Sequence, residues 1–464
     1  MKLTFLGGAG TVTGSRYLLE DNQFKILIDC GLFEGPKSLR IKNWEDFPVS
    51  PSSLTAVVLT HAHPDHSGYL PCLVKQGFKG PIYCTGGTRD LCHILLKDAA
   101  RLMEEEADFY NRHDLSKHKP ALPLYTLDDV ENCLPHFRSK HFNTGFSIGG
   151  LQFEFFRSGH ILGSAHIRAS GQGKSISFVS DLGRSHNSIM NPPELLTNSD
   201  FLVLESTYGD KVHSRSDPRI DLQLNIIECL SKGGSLLLPS YSVGRAQQIL
   251  YTLYLLKKNR EIPRLPIFMD SPMASDISYL YCAYRKDHSM DEQVCAALFD
   301  DVYFASTHLE SKKISEHCEP KIVIASDSCA SSGRVLHHIK KMVPDERNTI
   351  LFTGHQPAGT RGATMVNNAA FVKIHGEYVK IAAKVLKLDS FSAHADADEL
   401  CDWLELSGVQ PRHVFITHGE SHETHALKER FTREFGWSCS IPKFNQTVVL
   451  EEQFKEEENL GIHH

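Results

Sequence analysis

The chain has 464 residues, which exceeds the usual size of one hydrophobic core and favours two domains. Its 41% hydrophobic and 23% charged residues are typical of a soluble globular protein, and its net charge of −7 argues against a generally basic nucleic-acid coat. The twelve cysteines include no C-x-x-C pair, which argues against disulfides or a zinc knuckle and favours a cytoplasmic location. No apolar run reaches the roughly 18 residues of a membrane span, and we expect no targeting segment.

Strands are predicted to dominate the chain up to about residue 207. The Gly8–Gly14 loop resembles a dinucleotide fingerprint, but its last glycine comes one place late and a strand follows it, so we interpret it as a tight hairpin-like loop. The apolar face of Leu91, Leu95 and Leu102 predicts a helix over residues 88–110. Short apolar runs predict strands at Lys2–Leu6, Arg16–Leu19, Phe24–Asp29, Thr55–Thr60, Leu151–Phe156, Ala165–Ala169, Ser175–Ser180 and Phe201–Glu205.

Helices and strands alternate from about residue 208, which predicts an α/β unit with a parallel sheet. The helices predicted here cover residues 218–231 and begin again at Val243 and Met273. The predicted strands are Ser235–Leu238, Pro266–Met269, Lys321–Ile324 and Thr349–Thr353. The pattern then predicts strand Lys384–Leu388, helix Asp396–Leu406, strand His413–Thr417 and helix Thr424–Phe435.

The most informative segment is the hexapeptide His61-Ala62-His63-Pro64-Asp65-His66. It follows a predicted strand, so His61 and His63 point to one side of an extended segment, while Asp65 and His66 follow the Pro64 bend. Imidazole and carboxylate groups are natural zinc ligands. Four ligands this close would crowd a single open site, so we predict two adjacent metal ions. The alternative is a polar loop whose histidines only satisfy hydrogen bonds.

Three further residues complete the ligand set that two metal ions need. His160, Asp181 and His418 each follow a predicted strand, and each has a glycine close by. Each of them alone is more often a polar turn residue. Together with the hexapeptide, they supply the remaining ligands.

This ligand set resembles that of the metallo-β-lactamase fold, and further motifs resemble the β-CASP nuclease group. Glu205–Gly209 resembles motif A of that group, Ser390–Asp396 motif B and Thr417–Glu420 motif C. Other similar segments are Pro239–Gln247, Asp270–Ala274 and Gly359–Gly362, while Lys117–Tyr125 resembles the bacterial branch. The resemblance covers essentially the whole chain. It points to a β-CASP ribonuclease, a bacterial relative of the endonuclease of the pre-mRNA 3′-end cleavage factor.

The resemblance implies an α/β fold with two domains. A four-layer αββα metallo-β-lactamase sandwich would comprise residues 1–207 and 385–464. An inserted α/β β-CASP domain with a mainly parallel sheet would comprise residues 208–384.

It also implies a role for each ligand. One Zn²⁺ would be held by His61, His63 and His160, and a second by Asp65, His66 and His418, with Asp181 bridging them. Mn²⁺ is the alternative metal. A hydroxide shared by the metals would attack phosphorus in line.

The remaining catalytic chemistry is assigned by the same resemblance. Asp65, Glu205 and His394 are the expected catalytic residues, with Glu205 holding His394 protonated so that it can donate to the leaving 3′ oxygen. Asp29 would support a ligand histidine from behind.

Substrate phosphates are expected to contact glycine loops and helix starts in the inserted domain. A serine at such a position is more often only a helix cap. The sequence departs from the group's usual pattern at Ser326–Arg334 and at His355, which affects substrate anchoring and not the metal ligands. The candidates are Ser242, Arg245, Ser331, Ser332, Gly359 and Thr360, with Arg361 as an additional charge partner.

We therefore expect a two-metal endoribonuclease acting on single-stranded RNA. A 5′–3′ exoribonuclease and a small-molecule metallohydrolase of the same fold are the main alternatives. A DNA nuclease of the group is disfavoured because His418 is present, and an inactive scaffold is disfavoured because every ligand position is filled. We expect no membrane partner, and a homodimer is compatible with the sequence.

Overall fold

The computed structural model of the protein describes residues 1–214, 216–354, 356 and 359–451. The chain forms two compact units. Among the described residues, the first comprises Met1–Ser185, Pro192–Val212 and residues 394–451, and the second comprises His186–Asn191 and His213–Ala393. The domain boundaries at 207/208 and 384/385 stay a prediction. Among the described residues, no helix is both long enough and apolar enough to cross a bilayer.

The strands and helices follow one another as in a mixed α/β protein. The strands are β1 (Lys2–Phe5), β2 (Tyr17–Asp21), β3 (Phe24–Ile28), β4 (Ala56–Val58), β5 (Ile82–Cys84), β6 (Phe137–Ser139), β7 (Phe146–Ile148), β8 (Leu151–Arg157), β9 (Ala165–Gly171), β10 (Lys174–Val179), β11 (Phe201–Leu204), β12 (Leu236–Pro239), β13 (Ile267–Asp270), β14 (Val302–Phe304), β15 (Ile322–Ala325), β16 (Thr349–Phe352), β17 (Phe371–Ile374), β18 (Glu377–Lys380), β19 (Lys384–Lys387), β20 (His413–Ile416), β21 (Cys439–Ser440) and β22 (Thr447–Val449).

The α-helices are α1 (Lys37–Arg40), α2 (Pro64–Ser67), α3 (Leu70–Lys75), α4 (Gly86–Arg112), α5 (Leu127–Cys133), α6 (Pro218–Ser231), α7 (Arg245–Lys258), α8 (Pro272–Ala283), α9 (Glu292–Ala297), α10 (His308–Glu316), α11 (Val335–Met342), α12 (Arg361–Val366), α13 (Ala397–Ser407) and α14 (Ser421–Phe435). Short 3₁₀ turns lie at Ile41–Trp44, Pro51–Ser53, Leu134–His136 and Arg285–Asp287.

The first unit is built on two seven-stranded sheets. Their strand orders are β22-β1-β2-β3-β4-β5-β6 and β21-β20-β11-β10-β9-β8-β7. Alternate side chains of both sheets, such as Phe5 and Ile28 from one and Phe155 and Phe178 from the other, form one buried apolar cluster. The two sheets therefore pack face to face around a shared core.

Helices cover the outer faces of this sandwich. Leu400 and Leu404 on α13 and Leu427 on α14 pack in one cluster with Leu202 and Leu204 of β11. On the other side, α4 contacts α2, α5 and β6, and β4 is buried along its whole length. The resulting αββα arrangement confirms the predicted four-layer sandwich.

The second unit contains a six-stranded parallel sheet in the order β14-β13-β15-β12-β16-β19 and a hairpin of β17 and β18. The central strands β12, β15 and β16 are fully buried, as expected for a parallel sheet covered by helices. The predicted inserted α/β domain with a mainly parallel sheet is confirmed.

Candidate metal centre

The hexapeptide lies where β4 ends and α2 begins. His61 is buried and lies three residues after the end of β4, and His63 occupies the position before the first turn of α2, with Pro64 as the first helical residue. Asp65 and His66 are therefore carried on a helical turn. This change from extended to helical backbone turns the two halves of the hexapeptide toward two neighbouring points.

The first ligand cluster consists of His61, His63, His160 and Asp181. Nδ1 of His63 lies 3.1 Å from Nε2 of His61 and 3.2 Å from Nε2 of His160. Oδ2 of Asp181 lies 3.3 Å from Nε2 of both His61 and His160. Three imidazoles and a carboxylate thus converge on one point.

The second cluster consists of Asp65, His66 and His418. Nε2 of His66 lies 3.2 Å from Nε2 of His418, and Oδ2 of Asp65 lies 3.4 Å and 3.3 Å from those same nitrogens. The other oxygen of Asp181, Oδ1, lies 3.4 Å from Nε2 of His66. Asp181 therefore offers one carboxylate oxygen to each cluster.

These spacings fit two divalent ions. Ligands about 2.0–2.1 Å from a tetrahedral zinc are roughly 3.3 Å from one another, close to the nitrogen–nitrogen separations in both clusters. Oδ1 of Asp181 is buried and has no hydrogen-bond partner in the described part of the chain. A shared set of imidazole nitrogens and carboxylate oxygens is the donor chemistry that zinc prefers.

Asp29 contacts His66 directly and His61 through Thr60. Its Oδ2 lies 2.8 Å from Nδ1 of His66 and accepts a 2.7 Å hydrogen bond from the Thr60 hydroxyl, while its Oδ1 accepts from the Thr60 amide. The same hydroxyl lies 3.1 Å from Nδ1 of His61. Asp29 and Thr60 together fix the ring orientation of one histidine in each cluster.

The Gly8–Gly14 loop supports the opposite side of the site. The amide of His418 donates to the Gly8 carbonyl at 2.7 Å, and His418 has a left-handed backbone with φ of 49°. At Gly7, a Cβ would lie only 1.7 Å from the Gly14 carbonyl oxygen. The glycines therefore serve a tight loop between β1 and β2, in line with the interpretation that it is not a dinucleotide fingerprint.

Glu205 and His394 form a pair beside the first cluster. Nδ1 of His394 lies 3.2 Å from Oε2 of Glu205, and the His394 ring lies 4.4 Å from the His160 ring. Glu205 is buried and is fixed by the Leu182 amide and the Thr207 hydroxyl, each donating at 2.5 Å. Its carboxylate is therefore held toward the imidazole.

The charges in the site follow from burial and from these neighbours. Burial lowers the pKa of His61 to about 4, so its imidazole is neutral near pH 7 and can bind a metal. Burial alone would raise the pKa of Asp181, but the surrounding imidazoles hold it well below its ordinary value. Burial opposes protonation of His394 as well, but the charge and hydrogen bond of Glu205 raise the pKa of His394 to about 9. His394 is thus a protonated acid next to the neutral imidazoles of His61 and His160, whose pKa values burial lowers.

The predicted phosphate contacts all lie in the second unit. The Ser331 and Ser332 amides donate to the Asp327 carboxylate at 2.9 Å and 3.3 Å, so this loop binds its own side chain. Thr360 caps α12 by accepting from the Ala363 amide.

The other candidates lie near these loops. Ser242 lies 3.4 Å from the Ser271 hydroxyl, Arg245 begins α7, and Gly359 has a φ of 86°. Arg361 donates to the carbonyls of Ser331 and Lys373. Their binding to phosphate stays a prediction, and His355 lies outside the described residues.

Sequence reasoning missed three hydroxyls around the metal ligands. Thr60 links Asp29 to His61, the Ser180 hydroxyl lies 3.0 Å from Nδ1 of His66, and the Thr207 hydroxyl lies 3.2 Å from Nδ1 of His418. Thr60 and Ser180 immediately precede His61 and Asp181, and Thr207 lies two residues after Glu205. This closeness to predicted site residues is the signal that could have identified them.

Matches to known families cover most of the chain. Residues 9–206 match the metallo-beta-lactamase superfamily, residues 246–365 the Beta-Casp domain, and residues 378–442 the Zn-dependent metallo-hydrolase RNA specificity domain. The chain is 35% identical to Ribonuclease TTHA0252 of Thermus thermophilus over 97% of its own length and 100% of that protein. The chain belongs to the β-CASP family of the metallo-β-lactamase superfamily.

Archaeal proteins are also similar to this β-CASP protein. It is 27% identical to Transcription termination factor FttA of Methanocaldococcus jannaschii, over 95% of this chain and 70% of that protein. A crystal structure of a protein of unknown function from Enterococcus faecalis V583 superposes with a TM-score of 0.57 at 14% identity, covering 97% of this chain and 99% of that one. That likeness shows the fold alone.

Proposed function

We propose that this β-CASP protein is a metal-dependent ribonuclease that cuts single-stranded RNA internally. The observation that carries the proposal is the carboxylate of Asp181, which faces a ligand cluster with each of its oxygens, next to the Glu205–His394 pair. The match to an RNA specificity domain and the likeness to a protein named a ribonuclease support RNA as the substrate.

In this proposal, one set of residues binds the metals and another transfers the proton. His61, His63 and His160 would hold one Zn²⁺, Asp65, His66 and His418 the other, and Asp181 would bridge them. When bound, the two ions would supply an activated water as nucleophile and positive charge for the phosphodiester. Mn²⁺ is the alternative metal, because carboxylate ligands also suit it.

His394 supplies the proton for the leaving group. Its Nδ1 is directed to Glu205, which leaves Nε2–H to donate to the 3′ oxygen as the P–O bond breaks. Because the charge of Glu205 favours the imidazolium, His394 holds this proton at neutral pH. Thr207 keeps the carboxylate in place by donating to Oε2.

The alternatives predict different products. A 5′–3′ exoribonuclease would release mononucleotides from one end only. A small-molecule metallohydrolase would use the metal ligands without needing the Glu205–His394 pair, whose geometry favours phosphodiester cleavage with a basic leaving group. The twelve cysteines are all free thiols, which supports a cytoplasmic location. Light scattering would test whether the protein forms a homodimer.

The test uses unstructured RNA labelled at either end and the purified protein loaded with Zn²⁺ or Mn²⁺. Internal fragments from both labels support the proposal. The Asp65→Ala variant, which loses a metal ligand, should yield none. Release of mononucleotides from the 5′ label alone would show that the protein is an exonuclease and not an endonuclease. Intact RNA with both metals bound would contradict ribonuclease activity.

A further inference from the structure

An exposed tryptophan lies on the surface of the first unit. Residues 37–44 run through α1 and the following 3₁₀ turn, and Lys37, Arg40, Ile41 and Trp44 are all exposed on this helical segment. Trp44 is 61% exposed and Ile41 is 48% exposed, whereas Trp403 and Trp437 are each only 6% exposed. We call these four residues the Trp44 surface. A large aromatic ring left in water is unusual, since its burial is favourable.

A second aromatic ring with a cation lies beside this surface. Nζ of Lys42 lies 3.8 Å from the centre of the Phe444 ring and 5.3 Å from that of Phe33. Phe444 is itself 37% exposed. The neighbourhood thus combines exposed flat rings with ammonium and guanidinium groups, the combination that binds the bases and phosphates of single strands.

The charges on the segment favour an anionic partner. Residues 37–44 contain three basic and no acidic residues. Among the described residues, neither Lys37, Arg40 nor Lys42 forms an ion pair. The acidic side chains in this region, Glu34, Glu45 and Asp46, flank the segment on either side.

Hydrogen bonds join the Trp44 surface to the metal ligands within the same unit. The side chain of Asn43 accepts from the Phe33 amide at 2.9 Å and donates to the Phe33 carbonyl at 2.7 Å. One residue earlier, the Leu32 amide donates to the Pro64 carbonyl, and the Cys30 amide donates to the His66 carbonyl. The segment is therefore anchored to the hexapeptide.

A buried arginine stiffens this connection. The guanidinium of Arg16 donates to the Gly31 carbonyl at 2.9 Å and 2.7 Å and lies 4.2 Å from the centre of the Tyr69 ring. Gly31 in turn contacts the backbone of Asp65 so closely that a Cβ would lie 1.6 Å from its oxygen. The surface thus keeps a fixed position relative to Asp65.

We infer that the Trp44 surface is a stacking site for an unpaired base of the RNA that flanks the cleaved bond. Trp44 stacks on the base, Ile41 packs beside it, and Lys37, Arg40 and Lys42 neutralise the neighbouring phosphates. This inference rests on the proposed ribonuclease function. It extends the substrate contacts to a surface outside the ligand clusters and the second unit.

Tryptophan fluorescence tests the inference directly, because Trp403 and Trp437 are buried. A short oligouridylate is titrated into the full-length protein in the presence of a chelator, so that binding is measured without cleavage. Quenching of the wild-type emission is expected, and the Trp44→Phe variant should lose that quenching. By anisotropy of labelled RNA, Trp44→Ala should bind about fivefold to 150-fold more weakly, and Trp44→Phe should restore most of the affinity.

Controls separate stacking from a structural effect. Tyr378→Ala removes an aromatic side chain that is 73% exposed in the second unit, and it should bind RNA like the wild type. Unfolding temperatures of the Trp44 variants should equal that of the wild type, because the side chain is exposed.

Two results would overturn the inference: RNA binding that leaves Trp44 emission unchanged, or wild-type affinity in Trp44→Ala. Failure of the metal-loaded wild type to cleave RNA would instead contradict the proposed function, and the binding measurement would still decide on the Trp44 surface.

Discussion

At the scale of single residues, the site depends on side chains that serve two partners at once. Asp181 faces both ligand clusters, Asp29 orients His66 directly and His61 through Thr60, and Thr207 lies between Glu205 and His418. Such shared contacts connect the candidate ligand His418 through Thr207 to Glu205, the partner of His394. Removing the His394 side chain leaves the contacts of Asp181, Asp29 and Thr207 in place, so it should reveal how much of the rate is due to proton transfer.

The first prediction concerns His394. His394→Gln should lower kcat on RNA by about 10²–10⁴-fold, because the leaving oxygen then departs without a positioned proton donor. Metal content should stay at the wild-type level, since His394 is outside both ligand clusters. His422→Gln, a change at a histidine whose side chain is 80% exposed, serves as the matched control and should keep the wild-type rate. An equal loss in both variants would remove His394 from the mechanism.

The second prediction concerns pH. The pKa of His394 is raised to about 9, so the imidazolium is present below that pH and is lost as the pH rises through it. The rate on RNA should therefore fall on the alkaline side near pH 9. In Glu205→Gln the charge that raises the pKa is gone, so the alkaline limb should move to lower pH. The rate of RNA cleavage measured against pH for the wild type and for Glu205→Gln tests this prediction. An alkaline limb at the same pH in both proteins would mean that a group other than His394 titrates.

At the scale of elements, close backbone contacts bring the ligand-bearing loops together. Gly183 follows Asp181, its amide donates to the Ser158 carbonyl at 2.8 Å, and it forms an isolated bridge with His394. A Cβ on Gly183 would lie 2.0 Å from the Gly159 oxygen, next to His160. This contact holds two candidate metal ligands and the proposed proton donor in one register.

The third prediction follows from that contact. Gly183→Ala should force the loops of His160 and Asp181 apart, lower zinc affinity and abolish most RNA cleavage, because the overlap is with backbone that cannot move aside easily. Gly145→Ala is the matched control, since its Cβ would meet nothing within 4 Å. Metal titration by calorimetry and the RNA assay would measure both effects. Equal zinc affinity in the two variants would contradict this role of Gly183.

Sequence patterns predicted long and strongly patterned elements best. The helix predicted at 218–231 coincides with α6, and the helix predicted at 88–110 lies within α4. Short elements such as β5, β6 and the β17–β18 hairpin were missed, because three or four residues carry too little periodicity and pairing across the sheet decides their structure.

At the scale of the whole molecule, the sequence supplied the ligand types but not how they meet. The hexapeptide is local, so its candidate metal ligands could be named directly from the sequence. His160 follows β8, Asp181 follows β10 and His418 follows β20, and they come together because β8, β9, β10, β11 and β20 are consecutive strands of one sheet. The hydroxyls of Thr60, Ser180 and Thr207 give no signal of their own, since such residues occur in most loops. Nor did any motif indicate that the Asp327 carboxylate accepts hydrogen bonds from the Ser331 and Ser332 amides.

The fourth prediction concerns metal removal. Metal ions that bind only the folded chain stabilise it by about 2.7 kcal/mol per site at one hundred times Kd. A chelator should therefore lower the unfolding temperature of the wild type by several degrees, as measured by calorimetry. The Asp181→Ala variant should respond much less, because it lacks the residue shared by both clusters. Equal shifts in the two proteins would place the stabilising metal elsewhere.

The most direct test of the account is RNA cleavage measured against added zinc equivalents, starting from protein stripped of metal. The account predicts that internal cleavage rises with zinc and reaches its plateau at two ions per chain, one for each ligand cluster. Cleavage that is complete without metal, or RNA left intact after two ions are bound, would contradict it.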